Sequence, residues 1–222
     1  MKKTLAIASL GLALVVSANA QGLINFNNSS AAGTKISTNA VVGGAAVGLT
    51  GPSLVAGQYY FALFSSTSAT TVSGSSASVL GTGNYAFGDA AWTFQGTATN
   101  GTTRAGQVQG PGALVLNGIG GAGTGRFVVL GWSANIGSTL ASVQSWYNNG
   151  NPAVSGWIGE SSVTGVLTAG DGAGVSTPSP FGTAAPFTPG FTLGLISPVP
   201  EPATMALAGL GGLAMLALRR KK

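Results

Sequence analysis

Between residues 21 and 197, hydrophobic and polar positions alternate in short runs separated by Gly, Ser and Asn. In "GQYYFALFSS" (57–66), Tyr59, Phe61 and Leu63 fall on one side and Tyr60, Ala62 and Phe64 on the other. "GLINFNN" (22–28), "AAWTFQG" (90–96) and "GRFVVLGWS" (125–133) follow the same rule. Successive side chains of a strand point to opposite faces, so this period of two predicts β-strands. "GALVLNG" (112–118), "AVSGWIGESSVTGVL" (153–167) and "GFTLGLI" (190–196) are further candidate strands. β-branched and aromatic residues gather in these runs, as strands favour. One stretch departs from the rule. In "GSTLASVQSWYNNG" (137–150), Leu140, Val143, Trp146 and Tyr147 recur at helical spacing. That predicts one short amphipathic helix, with Ser138 as N-cap and Asn148-Asn149-Gly150 as stop. About eight or nine strands with one helix predict a mostly β domain, an antiparallel β-sandwich of jelly-roll or immunoglobulin-like type. "STPSPFGTAAPFTPG" (176–190) is Pro-rich, but Phe181 and Phe187 need covering, so it is expected to lie partly on the domain.

The two ends carry another pattern. Residues 1–20, "MKKTLAIASLGLALVVSANA", read as a cleavable signal peptide. Lys2 and Lys3 form a basic start, Leu5 to Val16 is apolar, and Ala18-Asn19-Ala20 is a small-x-small cleavage signal. Gln21 then opens the mature chain, after processing by the secretion machinery and signal peptidase. At the other end, Ala203 to Leu218 gives 16 uncharged residues followed by Arg219, Arg220, Lys221 and Lys222. As a helix that is roughly 24 Å long, a short span for a hydrocarbon core of about 30 Å. The four cations favour the cytoplasmic side. The expected topology is one span, with the exported N-terminus outside. Three segments follow: 1–20, an exported domain over 21–197, and a C-terminal signal over 198–222.

Val199-Pro200-Glu201-Pro202, an apolar segment and Arg219-Arg220-Lys221-Lys222 occur in that order at the C-terminal end. Together they resemble the PEP-CTERM sorting signal. The resemblance implies a Gram-negative bacterium that makes exopolysaccharide. It also implies recognition by an exosortase-type membrane protease, a cut near Pro200, Glu201 and Pro202, and release to the surface or matrix. The alternating Pro198, Pro200 and Pro202 keep the backbone extended, the form a protease cleft grips. The middle resembles the exported domains that accompany this tail in bacteria of the verrucomicrobial kind, through "INFNN", "YYFALF", "VVLGWSANIGSTLASVQSW" and "GWIGESS". That resemblance implies no activity.

Charge and chemistry narrow the function further. The net charge is +5 and the pI near 9.9. Within 21–198, however, Lys35, Arg104 and Arg126 balance Asp89, Glu160 and Asp171. A nucleic-acid partner needs clustered cations in the domain, so none is expected. The chain has no Cys and no His. Disulfides, thiol or imidazole metal ligands and Ser-His-Asp or Cys-His catalysis are therefore excluded. No catalytic residue, cofactor or metal is expected. A glycosidase pair needs two carboxylates about 5–10 Å apart; only a Glu160–Asp171 pairing across a hairpin would supply one. Asp89 in "GDAAW" and Asp171 in "AGDGAG" read as turn residues. "GIGGAG" (118–123) fits G-x-G-x-x-G, but a strand follows it where a dinucleotide site needs a helix, so it reads as a hairpin loop. Trp92, Trp132, Trp146 and Trp157, with Tyr59, Tyr60, Tyr85 and Tyr147, are either core or a sugar-stacking surface. The expected function is a non-enzymatic cell-surface or matrix protein associated with exopolysaccharide. The alternative is a carbohydrate-binding module for the producer's own polysaccharide.

Overall fold

The structure, a computed structural model, describes residues 21–28, 34–38, 55–73, 85–149 and 154–197. It is mostly β. The strands are β1 (Gln21–Asn27), β2 (Ser37–Thr38), β3 (Tyr59–Ser66), β4 (Thr93–Asn100), β5 (Val108–Gly120), β6 (Thr124–Ser133), β7 (Gly156–Glu160), β8 (Leu167–Thr168) and β9 (Thr192–Ile196). One α-helix, α1 (Leu140–Asn148), follows β6. The hydrogen-bonded order is β1-β5-β4-β3-β6-β7-β9-β2, with β8 paired to β6. All pairings are antiparallel except β2 with β9.

This sheet must curl. β5 and β6 stand three places apart in the order, about 14 Å in a flat sheet. Yet the turn joining them is tight, with Gly123 N–H donating to Gly120 O at 2.9 Å, which holds its ends within about 7 Å. The bend begins at Gly110-Pro111-Gly112. β5 pairs with β4 only at Val108 and Gln109. Pro111 has no N–H to offer a neighbour, Gly112 takes φ 95°, and a Cβ on Gly110 would lie 2.2 Å from Phe26 O. From there β5 follows β1, across the face of β3 and β6. Residues 167–170 complete the circuit. Thr168 and Leu167 pair with Thr124 and Gly125 of β6, and Gly170 exchanges two 2.9 Å backbone bonds with Leu23 of β1. The pairing thus runs β1-β5-β4-β3-β6-β8 and back to β1.

Inside the curl lies one apolar core, with Ile24, Phe26, Phe61, Leu63, Leu116, Ile119, Phe127 and Val129. The opposite face of β3 and β6 carries Ala62, Phe64, Val128, Leu130 and Trp132. It packs under Val143, Trp146 and Tyr147 of α1 and under Tyr85, Ala86 and Trp92. Both faces of the two central strands are therefore covered, which explains why both alternating sets are apolar.

The structure shifts several expectations. The strands do not divide into the two stacked sheets of a jelly-roll or immunoglobulin-like sandwich; they form one curled sheet, because β5 turns at Gly110-Pro111-Gly112. β4 starts after Trp92, since Asp89 Oδ1 accepts from Ala91 N–H and holds residues 89–92 in a turn. The N-cap of α1 is Thr139, whose Oγ1 accepts from Ser142 N–H at 3.1 Å, rather than Ser138. Of the segment 153–167, residues 156–160 form β7 and Leu167 opens β8. Beyond Glu160, hydroxyls take over from strand pairing: Ser161 Oγ accepts from Val129 N–H at 3.0 Å and Thr164 Oγ1 from Phe127 N–H at 2.9 Å. Ser161 and Thr164 are both buried. The Pro-rich 176–190 segment lies on the domain as expected. Phe181 is buried and stacks on Phe26 with centroids 6.4 Å apart, while Phe187 stays partly exposed.

Removing either hydroxyl strands a buried N–H of β6. Ser161→Ala and Thr164→Val are each expected to cost about 1–3 kcal/mol, read as a lowered urea midpoint with unchanged slope.

Candidate functional site

The sorting residues bracket the described fold. Ala18 and Ala20, Pro200, Glu201 and Pro202, the apolar run 203–218 and the cations Arg219, Arg220, Lys221 and Lys222 lie outside the described residues. Among the described residues, no helix is long and apolar enough to cross a membrane. Gln21, the expected first residue of the mature chain, opens β1 and is exposed, while Ile24 of the same strand is fully buried. At the other end, β9 is held on both sides. Gly156, Trp157 and Ile158 of β7 pair with Ile196, Leu195 and Gly194, and Ser37 and Thr38 pair with Thr192 and Leu193. Leu193 and Ile196 are buried, and Ser197 is exposed. The sheet therefore runs to the residue before Ser197, with no linker between the fold and Pro198.

The carboxylates occupy separate places. Glu160 ends β7 and turns toward the α1 face, where its Oε2 accepts from Ala86 N–H at 2.7 Å. Burial pushes its carboxyl up to about 8; the Ala86 bond opposes this and the charge of Asp89 adds to it. Beside it, burial together with Tyr147 and Glu160 raises the Tyr85 phenol above its usual range. Tyr85, Phe87 and Tyr147 pack edge and tilted, with centroids 5.0–5.7 Å apart. Asp89 caps its own turn and accepts from Ser73 N–H and Oγ at 2.7 and 3.0 Å. Asp171 lies in an exposed turn beside β1. Its Oδ1 accepts from Ala173, Val175 and Gly174 N–H at 2.8–2.9 Å, which holds the carboxyl below its ordinary value. The turn roles of Asp89 and Asp171 match the sequence reading. Glu160 and Asp171 face different sides of the sheet and are not brought together. Among the described residues no group of three acidic side chains is placed to hold a metal ion.

Most candidate aromatics are structural. Trp92, Trp132, Trp146, Tyr59, Tyr85 and Tyr147 are buried. Trp132 Nε1 donates to Gly137 O at 2.8 Å and Trp146 Nε1 to Val154 O at 3.0 Å, so the indoles tie β6 and α1 to their neighbouring loops. Trp157 and Tyr60 are half-buried, and Tyr60 stacks on Trp132. The motif 118–123 forms the end of β5 and the tight turn to β6. One feature was not legible in the sequence: an open polar groove lined by Asn27, Thr103, Arg104, Gln107 and Gln109. Its members come from β1, β5 and the 101–107 loop, and the β1–β5 pairing, which sets Asn27 opposite Gln109, brings them together.

A protein-family description, the PEP-CTERM protein-sorting motif, matches residues 198–221. The match begins directly after the last described residue. The chain thus carries a sorting signal that implies export, membrane anchoring before cleavage and processing by an exosortase, a membrane protease. No curated protein and no solved structure matches the chain.

Glu160 provides a pH test of the α1 face. The folded carboxyl stays protonated up to about pH 8, whereas in the unfolded chain it ionises near its ordinary 4.5. Its contribution to stability is therefore fully present below about 4.5 and is lost as pH rises to about 8. The steepest loss is about 1.4 kcal/mol per pH unit. Glu160→Gln is expected to flatten this decline when urea unfolding is followed across the same pH range.

Proposed function

We propose that this chain is a non-enzymatic protein of the cell surface or extracellular matrix, delivered by its C-terminal signal. Residues 203–218 hold it in the membrane, with the domain outside and Arg219 to Lys222 in the cytoplasm. An exosortase then cuts beside Pro200-Glu201-Pro202 and frees the domain. The observation that carries this reading is the sorting motif over 198–221, joined to a sheet whose last buried residue is Ile196. A cut anywhere between Ser197 and Pro202 leaves β9 whole. Association with exopolysaccharide draws on the setting that the tail implies and on a surface whose polarity comes from Ser, Thr and Asn.

A second reading, a carbohydrate-binding module, draws on the groove of Asn27, Thr103, Arg104, Gln107 and Gln109. Amides and hydroxyls match sugar hydroxyls there without an aromatic platform. Calorimetric titration with the producer's polysaccharide separates the two readings: a heat of binding abolished by Gln109→Ala favours the module.

The sorting reading is tested by mass spectrometry of the released protein. The expected C-terminal peptide ends within residues 197–202. Pro200→Ala combined with Glu201→Ala is expected to leave the chain in the membrane fraction. A released chain still carrying Leu218 to Lys222 would contradict release by cleavage.

A further inference from the structure

Resting on the sorting reading, we infer that one particular end of the domain, where β9 exits, lies against the lipid surface before cleavage. The geometry of the sheet defines that end. Asn100, Tyr59, Ser133, Trp157 and Leu195 form one row across β4, β3, β6, β7 and β9, through the strand registers and the bonds of Tyr59 N–H to Asn100 Oδ1 and Trp157 N–H to Ser133 Oγ. Beyond this row come Ile196 and Ser197. Six residues, Ser197 to Pro202, connect it to the apolar run. Fully extended, they reach about 20 Å. The opposite end of the sheet, at Ser66, Thr93 and Thr124, stands about 30 Å away along the ten residues of β6.

Both ends expose apolar side chains, Phe94 and Val166 at the far end to 41% and 49%, and they differ in charge. At the exit end, Val55 and Val154 are exposed to 51% and 46%. Val55 O accepts from Asn100 Nδ2 at 2.9 Å, and Val154 O from Trp146 Nε1. These bonds hold both valines beside the exit row. The charged residues described there are Arg104, in the loop after β4, and Lys35, which packs against Gly106 of the same loop. Both acids that cap turns lie toward the far end. Asp89 precedes β4, and Asp171 follows Gly170, which pairs with Leu23. Arg126, opposite Ser66, is there too. Cations without an exposed carboxylate beside them suit an anionic lipid surface, while the exposed carboxylates of the far end are repelled by it. Charge and tether length therefore orient the domain in the same sense.

The chain has no Cys, so a single engineered thiol labels one place. Val154→Cys probes the exit end. Val166→Cys, at a valine 49% exposed and next to Leu167, which pairs with Gly125, probes the far end. Each variant of the full chain is labelled with an environment-sensitive dye and reconstituted in phosphatidylethanolamine–phosphatidylglycerol vesicles. Iodide quenching is compared with that of the same variant lacking residues 203–222. The expected result is several-fold weaker quenching at position 154 in the anchored chain and no change at 166. Equal quenching at both positions in chains that float with the vesicles would overturn the orientation and leave the anchor intact. A full chain that does not float would overturn the anchor and the orientation with it. Protection at 154 seen only in membranes containing the exosortase would assign this end to the protease and overturn the lipid contact.

Discussion

The backbone pairs that residues 167–170 make with β6 on one side and β1 on the other hold the rest of the structure in place. They close a curled sheet whose interior contains Ile24, Phe26, Phe61, Leu63, Phe127 and Val129. Without this closure β1 would be an open edge, with unpaired backbone groups beside the largest apolar cluster. The chain has no disulfide to take its place and only 6% charged residues. Stability rests on burial and on the satisfaction of backbone groups. The buried asparagines act in the same way. Asn100 accepts from Gln58 and Tyr59 N–H, while Asn28 donates to Thr34 O and Gly106 O and accepts from Val108 N–H. Each side chain satisfies backbone groups at the end of a strand.

What was legible in the sequence follows from these physics. β3 and β6 could be read because a period-two pattern survives folding, and two apolar faces meant two covered faces. α1 could be read because Val143, Trp146 and Tyr147 fall on one side of a helix. The curl could not be read. It depends on Gly110-Pro111-Gly112, which looks like a break between strands and instead bends a single strand of 13 residues. β2 is two residues long and exists only through its partner β9, so no local pattern marks it. The site divides along the same line. The sorting motif is linear, and its order of Pro-Glu-Pro, apolar run and cations was plain. The burial of Glu160 was not, because Ala86, which covers it, lies 74 residues away.

The folded domain and its delivery signal meet at a sharp boundary. Ile196 is buried and paired with Gly156, Ser197 is exposed, and the motif begins at residue 198. The N-terminal boundary mirrors this, since Gln21 is both the residue after the small-x-small signal and the first of β1. The expected export cut before Gln21 and the sorting motif from residue 198 flank the described fold. Its near-zero charge and buried tryptophans describe a body held together from within.

The central claim is that the fold is complete without its tail. Urea unfolding of a chain ending at Ser197, followed by the emission of Trp132 and Trp146, tests it most directly beside the tailed chain in detergent. The expected result is one cooperative transition with the same midpoint and slope in both. A truncated chain with a broad, non-cooperative transition, or a markedly lower midpoint, would contradict it by showing that residues 198–222 form part of the fold.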